Sequence, residues 1–389
     1  RTGTIFLERF GWLWRALDYR THMALRSIAR NRLRTIATIA SLTVATSIIL
    51  PTLILYESTW FLVDFQFDHV MHSDIDISLR DSRYISAIYD AAELPGVDTV
   101  EPLFTAICDL RKGYRSRRVA ITGLLPPHRL LTPMQPDLRP VTIPPAGLVL
   151  SRKLAQILAV GEGDRLELTP VRGRRRTVSV PVAGIIHDYL GMNVYADLHY
   201  LCRIVGEPEA TNTFQLVTNP ARLGETYEAI RNLPITRSVR VRADARSAIE
   251  DTIVRTMGLS LGLMIIFAAV IALGSVLNAS LIEITDRAQD VATLRALGYG
   301  PGAVAGIFFR QNVAIFLLSL ALAGPLGYGA AILIARAYDT ELFRMPVIVR
   351  ASTIIISVAM TLAFVMVAQL FVYRYIRKLD WPAYIKVKE

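Results

Sequence analysis

Cysteine is scarce in this chain: Cys108 and Cys202 are the only two in 389 residues. Two thiols are too few for the disulfide framework of a small secreted domain; they stand either as one pair in an oxidising compartment or as two ordinary buried thiols. Histidine is scarce too, at positions 22, 69, 72, 128, 187 and 199, and these fit no catalytic spacing. His187-Asp188 reads as a loop pair. No Gly-x-x-x-x-Gly-Lys-Ser/Thr run occurs, so the chain has no phosphate-cradling loop of its own, and Gly161-x-Gly163 is a turn. Gly-x-Ser-x-Gly and His-Glu-x-x-His are missing as well, which removes the strongest sequence signals for a serine hydrolase and a zinc protease. Strong charges are nearly absent from the long apolar runs, so no continuous polar path for a small ion is written into them.

What the chain has is apolar length. Hydrophobic residues make up 52% and charged residues 20%, too apolar for an ordinary soluble protein and too charged to be all membrane. Four runs reach or exceed the roughly 20 residues that cross a bilayer: 36–57, 253–282, 303–336 and 351–373. Arg26, Arg30, Arg32 and Arg34 stand just before the first run; Arg374, Arg377, Lys378, Lys386 and Lys388 follow the last. Basic residues collect on the cytoplasmic side, so both ends are expected there and 58–250 outside. The same bias accounts for much of the formal charge of +10. No reader motif or continuous basic patch points to nucleic acid. Phe6, Leu7, Phe10, Leu13, Trp14 and Leu17 recur at helical spacing, which predicts an amphipathic helix on the cytoplasmic membrane surface; with the basic collar it fills 1–35. Pro51 is expected to kink the first span. Ala323, Gly324, Gly327, Gly329 and Ala331 give the third span a small-residue surface for close packing, and Gln311 is expected to face other helices.

The segment 58–250 reads as mixed α/β. The first span is expected to continue outward through Glu57 to Asp68. His69-x-x-His72 puts two imidazoles on one helical face beside Asp64, Asp68, Asp74 and Asp76, but zinc takes three or four organised ligands. A polar exit from the membrane accounts for that cluster better. Strands are predicted over 75–79, 103–110, 118–121, 178–186 and 213–217, helices over 82–94 and 223–231, and a proline-rich connection over 125–145. Ser151 is expected to cap a short helix, and Gly161 to Asp164 to turn into a strand. Arg172 to Arg176 is the densest charge cluster; it reads as a solvated hairpin tip, with contact to anionic lipid or an acidic partner as the alternative.

Between the second and third runs lies a charged insert, 283–302. Thr285 or Asp286 is expected to cap its start, Asp286 making a weak capping box with Gln289. Ala288, Val291, Leu294 and Leu297 form an apolar stripe, with Arg287, Asp290 and Arg295 pointing elsewhere. Gly298 is a left-handed stop, and Pro301 opens the next helix. The spacing predicts a short helix held at the membrane surface between two spans, a reading that an amphipathic re-entry turn of any polytopic protein shares.

Arg287-Ala-Gln-Asp-Val-Ala-Thr-Leu-Arg-Ala-Leu-Gly298 resembles the Arg-x-x-Glu-Ile-x-x-Leu-Arg-Ala-Leu-Gly signature of the FtsX-like permeases, the transmembrane subunits of MacB/LolCDE-type (type VII) ABC transporters. Asp290 replaces Glu and Val291 replaces Ile, and both keep the chemistry. Leu25-Arg26-Ser27-Ile28 with Arg30 to Thr35 is similar to the pattern before that family's first span. Leu94-Pro-Gly-Val97 and Leu150-Ser151 onward to Leu168 resemble turns and strands of its outer domain. Arg377-Lys-Leu-Asp-Trp-Pro-Ala383 is similar to its closing run, with Trp381-Pro382 displacing the usual order.

The resemblance implies an α-helical membrane protein with four transmembrane helices and a large α/β extracytoplasmic domain, a MacB-like core, inserted between spans 1 and 2, with a small β-subdomain at about 146–206. It implies that 283–302 is a coupling helix docking on a cytoplasmic ABC ATPase dimer through Val291, Leu294 and Leu297, rimmed by Arg287 and Arg295 and ended by Gly298. ATP and Mg would then belong to that partner, leaving no catalytic residue, metal or cofactor in this chain. Further implied partners are a second permease copy or half, a periplasmic adaptor or substrate-binding protein, and membrane lipids of a bacterial inner membrane. The expected work is export or extraction of a lipid, lipoprotein or amphiphile at the outer face. The alternative is a mechanotransmitting regulator of cell-wall hydrolases, against which the large outer domain counts. Whether the chain is a stand-alone subunit or the second half of a duplicated permease stays open.

Overall fold

The computed structural model describes residues 32–378, apart from 174, 190, 208, 287, 289–291, 294–295 and 341–343. The predicted amino-terminal helix, most of the basic collar and the closing run from 379 lie outside the described residues. The chain divides into a helical unit, with residues up to 57, 256–334 and from 347, and an α/β unit, with 58–255 and 335–346.

Helix α1 spans Arg32–Asp64, running on through Pro51, and a π-helical turn, Phe65–Val70, extends it. The α/β unit then proceeds through β1 (Ile75–Tyr84), α2 (Ala87–Ala92), β2 (Val97–Lys112), β3 (Arg115–Leu124), β4 (Leu148–Ser151) and α3 (Arg152–Leu158). It continues with β5 (Arg165–Pro170), β6 (Val178–Ile186), β7 (Val194–Asp197), α4 (Leu198–Val205), β8 (Ala210–Thr218), α5 (Leu223–Arg231) and β9 (Thr236–Val241). Three long helices follow: α6 (Arg242–Asp286), α7 (Pro301–Ala337) and α8 (Ala351–Lys378).

Strand β2 organises the α/β unit. Its first half, Val97 to Leu103, pairs with β8, and from Leu103 onward it pairs with β3, with Cys108 to Arg111 also facing β5. The stretch 97–102, which follows the Pro95-Gly96 turn, and the strand expected at 103–110 are thus one strand. Pro102 is tolerated because only one edge of β2 is paired there, the kind of position a sheet proline requires. The ladder β2-β3-β7-β4-β6-β5 returns to β2, closing a six-stranded ring, while β8, β1 and β9 extend from β2 as an open sheet. Closure leaves no unpaired edge in the ring. The ring's core holds Leu110, Ile121, Leu148, Leu150, Leu166, Leu168 and Val180, with Leu154 and Leu158 from α3 and Leu198 and Leu201 from α4. Cys108 and Cys202 are both free and buried in this core, and the Cys202 thiol donates to the Ala210 carbonyl at 3.4 Å. Burial pushes Cys108 up to about 12 and Cys202 up to about 11, so both stay protonated and inert. The helix expected over 82–94 shrinks to α2, because β1 carries on past a bulge to pair Tyr84 with Ala210.

In the helical unit, four helices are long and apolar enough to cross a membrane. Leu42, Ala45 and Ile49 of α1, Ala268, Ala272 and Val276 of α6, Ile315 and Phe316 of α7, and Val365 and Ala368 of α8 make one core. The three- and four-residue spacings in α1, α6 and α8 put those sets each on one helix face. The small-residue surface of α7 divides: Ala323 and Ala331 are buried, and a Cβ added to Gly327 would meet Leu50 of α1 at 2.9 Å, whereas Gly324 and Gly329 face open space. Close approach of α7 to α1 therefore rests on the 323/327/331 row, one helical face. Leu259, Leu263, Ile266 and Val270 of α6, and Leu318, Leu322 and Leu326 of α7, are exposed, as helices in contact with lipid tails require.

Leu110 lies in the strand shared by the most ladders and is fully buried. Leu110→Ala is expected to lower unfolding stability by about 2–5 kcal/mol. Ile107→Ala, at a half-exposed position of the same strand, should stay within about 0.5 kcal/mol. Denaturant unfolding of the full chain checks both.

Candidate functional site

The charged insert begins where α6 ends. Ser280, Glu283 and Ile284 of α6 are buried at spacings of three and four, on the face turned to α7. Opposite them, Gln311 Nε2 donates to Glu283 Oε2 at 2.6 Å and Asn312 Nδ2 donates to Ser280 Oγ at 3.0 Å. Glu283, Gln311 and Asn312 are only 5%, 7% and 5% exposed. Polar groups withdrawn from water must bond to one another, so these two pairs fix the register of α6 against α7. Beneath them Ile284, Val304, Phe308, Val372 and Ile376 pack as a small apolar layer that brings in the end of α8. Arg34 of α1 pairs with Asp286 at the end of α6, half exposed. The expectation that Gln311 faces other helices matches its place. Its partner Glu283 lies just outside the predicted second span, so the span boundary hid the pair.

One expectation at the insert changes. Thr285 does not cap a new helix: its hydroxyl donates to the Leu281 carbonyl four residues back, and α6 runs on to Asp286, which is engaged by Arg34. A hydroxyl bonded to the preceding turn belongs to a helix interior, not to a start. Ala288 and Ala292, four apart, are buried, whereas Leu297 is 71% exposed. Gly298 adopts φ +90°, a left-handed conformation, and helix α7 starts at Pro301. Arg287, Val291, Leu294 and Arg295, the other expected docking residues, lie outside the described residues; Leu297 and Gly298 are the two whose placement is described.

The remaining candidates in the α/β unit are already engaged. Asp64 and Asp68 bind Arg246, Asp74 accepts from Arg242 and from the Thr218 amide, and Asp76 accepts from Ser73 and Gln215. His69 stacks near Phe65. Among the described residues no group of three or more His, Cys, Asp or Glu is placed to hold a metal ion. The Arg172 to Arg176 cluster occupies the loop between paired strands β5 and β6, where Arg175 donates to the Val171 carbonyl. Sequence reading missed the Arg246 clamp, although two carboxylates four residues apart, Asp64 and Asp68, signal one helix face that needs a cation.

Asp188 stands apart. Its carboxylate accepts from Asn193 Nδ2 at 2.9 Å, and burial pushes it up to about 7 against that bond. His187 is held below its ordinary value by burial and by the guanidinium groups of Arg152 and Arg344. Because the folded Asp188 value lies above the ordinary 3.8, the native state keeps a proton that the unfolded chain has lost between pH 3.8 and about 7. Its contribution is full at the acid end and is lost as pH rises through that window, with a slope of at most about 1.4 kcal/mol per pH unit. Asp188→Asn should flatten that slope in melting curves recorded from pH 4 to 8. At the helical end, Gln311→Leu should cost about 1–3 kcal/mol by stranding a buried carboxylate oxygen. Arg34→Ala at the exposed pair should cost about 0–1 kcal/mol; thermal unfolding in detergent separates the two.

Comparison with known proteins gives a match to one family model, "FtsX-like permease C-terminal", over residues 262–380, which includes the insert and helices α7 and α8. No curated protein matches significantly. Two solved structures are similar to part of the chain. The extracellular domain of the noncanonic ABC-type transporter YknZ from Gram-positive bacteria has TM-score 0.30 and 12% identity, covering 43% of this chain and 98% of its own. The periplasmic region of MacB from Actinobacillus actinomycetemcomitans has TM-score 0.31 and 13% identity, covering 48% of this chain and 97% of its own. Residues 262–380 match the C-terminal domain of the FtsX-like permeases.

Proposed function

We propose that the chain is the permease subunit of an ABC transporter, and that it converts ATP hydrolysis by a separate cytoplasmic ATPase into movement of its α/β unit. The work done is export or extraction of a lipid, lipoprotein or amphiphile at the outer face of a bacterial inner membrane. The observation that carries this reading is the FtsX-like permease domain over 262–380, which contains the insert between α6 and α7. In this reading Arg287, Val291, Leu294, Arg295, Leu297 and Gly298 form the docking element for the ATPase. Exposure of Leu297 supports it, since a large apolar side chain left on the surface beside a left-handed stop suits a partner's groove.

The mechanism is one of transmission. Nucleotide-driven closure of the ATPase dimer pushes the insert, and the buried Glu283–Gln311 and Ser280–Asn312 pairs pass that push to α6 and α7 as one body. Helices α1 and α6 run unbroken through positions 57–58 and 255–256, where the chain passes from one unit to the other. Both ends of the chain lie in the cytoplasm, the α/β unit lies outside, and ATP and Mg bind only to the ATPase. A second permease copy or half completes the assembly, and a periplasmic adaptor or substrate-binding protein receives the cargo. Affinity purification from native membranes in mild detergent tests this reading. An ATPase subunit should come down with wild type and be depleted about tenfold or more with Leu294→Asp, since a charge forced into an apolar contact costs at least about 1.4 kcal/mol. Absence of any ATPase from the wild-type preparation would refute it.

A further inference from the structure

Helix α3 and the end of β6 border a cleft of about 480 Å³ in the α/β unit. Ala155, Ala159, Val160 and Ile185 give it an apolar wall, and Arg152, Gln156, Glu162 and His187 supply its polar lining. Arg152 Nη1 lies 3.1 Å from His187 Nδ1 and 3.2 Å from Nε2. A guanidinium equidistant from both ring nitrogens is not committed to one of them, and so keeps donors for another acceptor. Arg344 joins from the segment 335–346: its amide donates to the Tyr189 carbonyl at 2.9 Å, and with Arg152 it lines a smaller adjoining cavity.

The charged groups around this cleft are engaged differently. Lys153 is neutralised by Asp339 at 3.1 Å, but among the described residues no ion pair with a carboxylate holds Arg152 or Arg344. Glu162, which also lines the cleft, is occupied with the Ile185 amide at 3.1 Å. Asp188 lines the adjoining cavity, where it is bound to Asn193; burial raises its value to about 7, so near neutral pH it supplies less than a full negative charge. Two guanidiniums act on one imidazole, and among the described residues neither is ion-paired to a carboxylate. Such an arrangement favours an anion with several acceptor oxygens, which two guanidiniums and an imidazole can engage together.

We propose that this cleft binds a phosphate-headed amphiphile, its head on Arg152, His187 and Arg344 and the first carbons of its chain against Ala155, Ala159, Val160 and Ile185. This deepens the transport reading, on which it rests only for the bound molecule being cargo. Cations alone would suit any anion; the apolar wall in the same cleft selects one carrying a hydrocarbon chain.

Equilibrium dialysis of hexyl phosphate against the full chain in phosphatidylcholine nanodiscs, corrected with empty nanodiscs, tests the site. Wild type should bind it saturably, and bind inorganic phosphate and hexanol at least about tenfold more weakly. Arg152→Gln, at an exposed position whose loss should leave the melting temperature unchanged, should weaken hexyl phosphate binding about tenfold or more. Gln156→Trp, which fills the cleft and leaves its charges in place, should weaken it likewise. No saturable binding, binding untouched by Arg152→Gln, or inorganic phosphate held as tightly as hexyl phosphate would each overturn the proposal. The ATPase takes no part in this measurement. A chain that binds hexyl phosphate yet retrieves no ATPase would sink the transport reading and leave the site standing.

Discussion

Polar groups that leave water must find partners inside the protein, and both units of this chain are built around that requirement. In the helical unit, helices of 33, 45, 37 and 28 residues satisfy their own backbones. Three pairs of buried side-chain polar groups join helices, Glu283 with Gln311, Ser280 with Asn312, and Thr46 with Thr361. Each pair fixes one helix against another in a way that apolar contacts, which tolerate sliding, do not. In the α/β unit the same requirement is met by closing six strands into a ring, so that every strand of the ring is bonded on both sides. The clamp of Arg246 on Asp64, Asp68 and Glu250 applies it to charge, tying the π-helical extension of α1 to the first turns of α6.

These constraints bear on the proposed transmission. A push applied at the insert is useful only if what lies behind it is stiff. The layer of Ile284, Val304, Phe308, Val372 and Ile376, with the two polar pairs above it, joins α6, α7 and α8 at that end. The polar residues are therefore placed where loss of register between α6 and α7 would be most damaging, rather than along a conduction path.

Much of this was legible in the sequence. The four apolar runs, strand Val178–Ile186 and helix Leu223–Arg231 follow directly from run length, alternation and helical spacing. Ser151 caps α3 as its position before an apolar helix implied, accepting from the Leu154 amide. Other elements were hidden for physical reasons. Strand β7 is four residues long with no polar alternation, since three of its positions are buried. Helix α4 was missed although its signals were present: Asp197 caps it, Leu198, Leu201, Cys202 and Val205 share a face, and Gly206 ends it with φ +82°. Pro102 broke in two what is one strand, because its tolerance depends on a pairing partner that local sequence cannot name. At the insert, counting apolar residues by threes gave a stripe, of which Ala288 is buried and Leu297 exposed. The Arg152–His187 cleft was invisible because its parts lie in α3, the loop after β6 and the segment before α8.

The central claim is that the insert touches an ATPase. A photoreactive amino acid placed at Leu297 of the full chain, in native membranes, tests it most directly. The account predicts a crosslink to an ATPase subunit whose yield changes between nucleotide-free and ATP-trapped states. Crosslinks to lipid alone, in both states, would contradict it.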